Sequence, residues 1–202
     1  MKKWLAISLA VVAGCATAPP APPPHADCAA VKQPQLCTEL LQLRDRDQEV
    51  RRRWIANRAD PALQQEAETV DRENVIRVRE IIAARGWPGK STVGEKGSAA
   101  AWTIIQHADA ATLAQYIDVM QGAVDAGELH GSLFATSVDR MRVQEKRPQV
   151  YGTQFREVDG KMVPFPIEDE ANVDALRTKV GLQPLAEYAA LMNQMYMQQK
   201  KP

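Results

Sequence analysis

Aromatic side chains are scarce: Phe, Tyr and Trp together make up 5% of the chain. That scarcity argues against aromatic-rich sandwiches and sugar-binding barrels. Net charge is also missing, because 25 Lys and Arg balance 25 Asp and Glu. A nucleic-acid binder carries a basic excess, so no nucleic-acid partner is expected. No apolar run reaches the roughly 18–20 residues that a membrane-spanning helix needs. There is no G-x-S-x-G nucleophile elbow, and no strand precedes Lys90-Ser91 to make a phosphate-binding loop. No repeat of fixed period is present. A carboxylate pair for glycoside cleavage cannot be singled out among 25 acids. What remains is a chain of 202 residues, 45% apolar, enough for one domain or at most two small ones.

The amino terminus has a clear layout. Lys2 and Lys3 precede a mostly apolar run over 4–13, too short to cross a bilayer, and Gly14-Cys15 follow. This is the order of a secretory signal peptide. Val12-Ala13-Gly14-Cys15 resembles the lipobox of bacterial lipoproteins. The resemblance implies cleavage before Cys15, acylation of its thiol and a stable anchor of several acyl chains. An ordinary signal cut after Ala16 or Ala18 is the alternative. Ala16, where an Asp would retain the protein at the inner membrane, implies a periplasm-facing outer-membrane location. Removing 1–14 takes away Lys2 and Lys3, leaving 23 basic against 25 acidic residues, a net charge of −2. Pro19, Pro20, Pro22, Pro23 and Pro24 then favour an extended tether through about residue 27. With Cys15 lipidated, Cys28 and Cys37 are left as an even pair, suggesting one disulfide in an oxidising compartment.

The folded part reads as mainly α: a compact helical domain with one β-hairpin at about 149–165. The segments are a signal peptide (1–14), lipidated Cys and tether (15–27), a helical hairpin (28–85) and a helical domain with the β-hairpin (86–202). Thr38 is a cap candidate for a helix to about Asn57, and its basic run 51–53 reads as a solvated face or an anion-binding patch. Asp60-Pro61 pairs an N-cap with Pro at the first helical position. Gly86-Trp87-Pro88 supplies a stop. The glycine-rich stretch 89–97 reads as a loop, with Ser98 capping the next helix. Asp109 caps a further helix that ends near Gly127, and Ser132 opens another. Alternation from Gln149 to Arg156 and an Asp159-Gly160 turn predict the hairpin. Asn172 or Asp174 starts a short helix ending at Gly181. Pro184 begins the last helix, with Leu185, Tyr188, Leu191, Met192 and Met195 expected inside.

Three clusters carry a family resemblance. They are Gly86-Trp87-Pro88 with Val93-Gly94 and Ala100 to Asp109; Asp139-Arg140 with Gln149-Val150-Tyr151-Gly152-Thr153-Gln154; and Pro166 to Asp169 with Val173-Asp174, Arg177 and Val180 to Leu185. In order, over about 87–188, they resemble the bacterial domain-of-unknown-function family 6624. That family implies no activity.

The residues themselves allow several readings. His107 either bonds a neighbouring carbonyl while Asp109 caps, or acts as a general acid or base oriented by Asp139 or Asp109. A metal site of His107, Asp109 and His130 is a third option, with no standard ligand spacing. Tyr151 and Gln154 either face a polar substrate or belong to a hairpin packed on the helices, with Gly152 making room for Trp102 or Trp87. Arg140 and Arg177 either bind ligand carboxylates, with Trp102 nearby, or join an internal network with Asp139, Glu168 or Asp174. The catalytic candidates are thus His107, Asp109, Asp139, Tyr151 and Gln154, and the ligand-binding candidates Arg140, Trp102 and Arg177. No resident metal or cofactor is expected. The functional expectation is a binding or structural role in the cell envelope, with an unidentified protein or polymer partner and membrane attachment through Cys15. A hydrolase using His107, metal-assisted or not, is the alternative.

Overall fold

A computed structural model describes residues 25–199. The expected signal peptide, Cys15 and the proline run lie outside the described residues. The chain is mainly helical, with one two-stranded hairpin. The last residues assigned to the tether belong instead to the fold. Ala26–Cys28 form a 3-10 turn, and the His25 amide donates to Thr38 Oγ1 at 2.8 Å. Cys28 and Cys37 are disulfide-bonded and fully buried. Closing this short loop contributes about 2.5 kcal/mol by restricting the unfolded chain.

Helix α1 spans Pro34–Ala56. It starts earlier than Thr38, because Pro34 occupies the first turn, where its missing N–H is harmless. Thr38 lies within the helix and donates to the Pro34 carbonyl at 2.8 Å. Helix α2, Pro61–Arg85, is capped as expected: Asp60 accepts from the Ala62 amide at 2.8 Å. It stops at Gly86, whose φ of 74° is positive but whose ψ of −167° sends the chain out extended.

The stretch 89–97 is not a loop. Helix α3 runs Lys90–Ile105, broken at Gly94, where φ 74° and ψ 168° suit only glycine. Its cap comes from far away. Glu128 accepts the Ser91 amide on its carboxylate (2.8 Å) and the Lys90 amide on its carbonyl (3.1 Å). Ser98 is therefore interior rather than a cap. It accepts from Trp87 Nε1 at 3.0 Å and donates to the Glu128 carbonyl at 3.1 Å. Helix α4, Ala110–Asp125, begins at its expected Asp109 cap, and α5 spans Gly131–Gln144. Apolar residues of α1 to α5 make a main core in which residues from 28–85 and 86–141 pack together, and Val50, Trp54, Ala67 and Val70 form a second small cluster between α1 and α2.

The hairpin pairs β1 (Phe155–Val158) with β2 (Lys161–Pro164) in antiparallel register. Asp159 and Gly160 both have positive φ, 49° and 77°, as the tight turn requires. Strand β1 starts at Phe155 and not at Gln149. The amides of Val150, Tyr151 and Thr153 donate to Asp139, and that of Gln154 to Gln149 Oε1, so they form no ladder with β2. Helix α6, Val173–Lys179, is short. Helix α7, Leu185–Gln199, lies on β2, where Asn193 both accepts from the Met162 amide and donates to its carbonyl, each at 2.9 Å. Tyr188 and Met192 are half-buried, but Leu191 and Met195 are 42% and 46% exposed, contrary to expectation. A two-stranded hairpin covers only part of the apolar circumference of α7.

Candidate functional site

A polar cluster forms where α1, α2 and the end of α3 meet. Asp47 and Arg51 sit one turn apart on α1 and so share a face. Asp71 comes from α2, and His107 follows the last turn of α3. Asp47 is 2% exposed. Its Oδ1 accepts from Arg51 Nε at 3.1 Å and faces His107 Nδ1 at 3.2 Å, while Oδ2 accepts from Gln48 at 2.7 Å. Arg51 Nη2 donates to Asp71 Oδ1 at 2.5 Å. On the other side of the imidazole, Gln106 Nε2 lies 3.3 Å from His107 Nε2. One neutral tautomer serves both contacts: Nδ1–H donates to Asp47, and Nε2 accepts from Gln106.

The two carboxyls are driven apart. Burial pushes Asp47 up, but the hydrogen bond from His107, the imidazole's charge when protonated and the charge of Arg51 outweigh it and hold Asp47 below the usual range. Burial raises Asp71, Arg51 opposes that, and the neighbouring Asp47 carboxyl adds to the rise. Carboxyls separated in this way can play different acid–base roles. Arg140, on α5, lies within reach of the Arg51 charge. Burial and that charge lower its pKa, and its Nε has no partner among the described residues. A cleft of about 300 Å³ opens beside the cluster, lined in part by Asp71, Ile76, Arg79, His107, Asp109 and Thr112.

The other candidates are placed differently. Asp109 caps α4, accepting the Thr112 amide at 2.7 Å, and these bonds from Thr112 lower its pKa. It lines the cleft but does not orient His107. His130 pairs with Glu95 on the surface, so it is not with His107. Trp102 Nε1 donates to the Leu133 carbonyl and Ser137 Oγ, both at 2.9 Å.

Asp139, Tyr151, Gln154 and Arg177 meet in a second network. Asp139 is fully buried and accepts four bonds, from the amides of Val150 (2.7 Å), Tyr151 (3.0 Å) and Thr153 (2.9 Å) and from Thr153 Oγ1 (2.9 Å). Arg177, also fully buried, donates to the carbonyls of Gln183 (2.6 Å), Tyr151 (2.6 Å) and Gly152 (3.3 Å). Its guanidinium carbon lies 5.1 Å from the Tyr188 ring centroid. Gln154 Nε2 donates to Thr153 Oγ1 at 3.0 Å. Gly152, with φ 68°, makes room for Leu185 and Ile167, not for a tryptophan: a Cβ there would come within 2.9 Å of Leu185 Cδ1. These polar groups are spent on shaping 149–154.

Asp47, Asp71 and Gln106 are the members of the cluster that the sequence did not single out. The spacing of Asp47 and Arg51 was readable. Their burial was not, because the stretch 44–53 carries charge at most positions. The basic run 51–53 also divides: Arg51 turns inward, while Arg53 pairs with Glu66 at 2.6 Å on the surface.

A family model matches residues 34–201. The chain belongs to DUF6624, a family of unknown function. The match covers all seven helices and extends well beyond the 87–188 stretch that carries the resemblance, so Asp47, Asp71 and His107 all lie within the DUF6624 domain. No curated protein and no solved structure matches the chain.

Proposed function

We propose that this DUF6624 protein is a lipid-anchored component of the cell envelope, attached through Cys15, that binds a polar ligand in the cleft beside His107. The carrying observation is that His107, which lines the cleft, is held through Nδ1 by the Asp47 carboxylate buried behind it. Arg51 and Gln48 offset the cost of burying that charge and fix the carboxylate against the imidazole that faces the cleft. The envelope address rests on the lipobox-like Val12-Ala13-Gly14-Cys15 and the proline run after it. The Cys28–Cys37 disulfide supports it, because such bonds persist in oxidising compartments. Cys15→Ala should abolish acylation, measured by intact mass, and move the protein from the membrane to the soluble fraction. Membrane retention of that variant would overturn the address.

A hydrolase is the second reading, and one observation favours it. A histidine whose Nδ1 is held by a buried carboxylate is oriented for acid–base work through Nε2, which a substrate or water would reach by displacing the 3.3 Å contact with Gln106. Among the described residues no Ser, Thr or Cys side chain bonds to His107, so water would be the nucleophile. His107→Gln keeps a polar side chain but cannot transfer a proton near neutral pH. Binding predicts that an envelope phenotype lost in His107→Ala is partly restored by His107→Gln. Hydrolysis predicts that both variants lose it.

A further inference from the structure

We infer that Asp47, Asp71 and His107 form a binding site for a divalent first-row transition cation such as Zn2+ or Mn2+. This deepens the reading of the cleft as a ligand site and rests on it only for biological purpose. One ligand atom from each of the three residues can be chosen so that all lie within 4.8 Å of one another. Ligands of a bound Zn2+ each sit about 2.0–2.2 Å from the metal and so roughly 3.4 Å from one another, which asks the widest pair to close by about 1 Å. The three come from α1, α2 and the turn after α3, elements already fixed by the core. One imidazole with two carboxylates suits such a cation better than a soft one. Three protein ligands with a remaining open position is also the pattern of catalytic rather than structural zinc.

Gln106 supplies an independent observation. It is 8% exposed, its amide lies against the His107 ring, and its Oε1 has no hydrogen-bond partner among the described residues. Such a buried acceptor calls for an explanation. When His107 Nδ1 binds a cation, Nε2 carries the proton and needs an acceptor. Turning the Gln106 amide over replaces Nε2 with Oε1 at the same 3.3 Å position, so that the oxygen accepts from the imidazole and the amide NH2 moves to the opposite side.

Arg51 occupies the cation position in the structure described. Its guanidinium bridges Asp47 and Asp71, so the two carboxylates already hold one positive charge. Its side chain is 21% exposed and has a route to solvent. A divalent ion would displace it and supply a second positive charge between the same two oxygens.

The test uses the whole protein as purified from membranes or from the soluble fraction, stripped with chelator and dialysed against Zn2+ or Mn2+ alone, with bound metal counted by mass spectrometry. The wild type should retain one ion per chain and melt at a higher temperature with metal than without. His107→Ala and Asp71→Asn should each lower affinity by about 100-fold, and Gln106→Leu by about 10-fold. Arg51→Gln should bind more tightly than wild type, because it removes the competing cation. Circular dichroism establishes that each variant is folded. No retention by the wild type overturns the inference. So does retention that survives His107→Ala with Asp71→Asn, or retention lost on His130→Ala, which would place the metal at the surface His130–Glu95 pair. If metal binds as expected but the envelope phenotype is indifferent to His107→Ala, the cation site stands and the functional reading of the cleft falls.

Discussion

Asp139→Ala is expected to destabilise the protein by about 4 kcal/mol or more, the sum of several lost bonds to a charged acceptor. The substitution leaves the amides of Val150, Tyr151 and Thr153 and the Thr153 hydroxyl facing a small apolar void. A chain of this size should lose roughly 10–15 °C in Tm, read by thermal denaturation. Asp139→Asn should cost less, about 2 kcal/mol, because one oxygen still accepts while the amide NH2 confronts donors. The outcome separates two roles for the same residue. If Asp139 worked as an acid–base group, its replacement would impair function in a fully stable protein. The four bonds say that stability falls first, while a ligand site at Asp47 and His107 keeps its geometry. A variant as stable as wild type would show that the loop 150–153 is held by something else.

The helices were legible where the signal is local. Asp60-Pro61, Asp109 and Asp159-Gly160 each act within four residues, and each is found where the sequence put it. Legibility ended where a long-range partner took over a local task. Lys90 begins a helix in a glycine-rich stretch because Glu128, 37 residues away from Ser91, caps it. The alternating residues after Gln149 look like a strand, yet a carboxylate on α5 takes their amides. The site follows the same logic. His107 stood out as a rare residue in a patterned segment, but its partner is 60 residues away in a charge-dense helix. The adjacent Asp109, which the sequence offered first, is committed to a helix cap. A buried carboxylate among exposed ones has no distinctive sequence pattern, because its burial depends on whether Arg51, Asp71 and His107 converge.

Arg177→Met should cost about 3 kcal/mol while leaving most of the apolar stem in place. Burial already lowers the pKa of this guanidinium, with Asp174, Tyr188 and Asp139 acting against that shift. What keeps it inside is its set of carbonyl partners and the face of Tyr188. The variant strands the carbonyls of Gln183, Tyr151 and Gly152 and removes the cation–π contact. Arg177→Lys should recover little, since one ammonium cannot reproduce a planar fork that bonds carbonyls on both sides. Asp139 and Arg177 hold the same segment by opposite groups, one taking its N–H donors and the other its C=O acceptors. Once either grip is lost, the loop can rearrange and the other is worth less. The Asp139→Asn, Arg177→Met double variant should therefore be less destabilised than the two single effects added, by about 1 kcal/mol, measured by urea unfolding. Strict additivity would mean that the two residues act on independent parts of 149–154, and that the buried network is two contacts rather than one clamp.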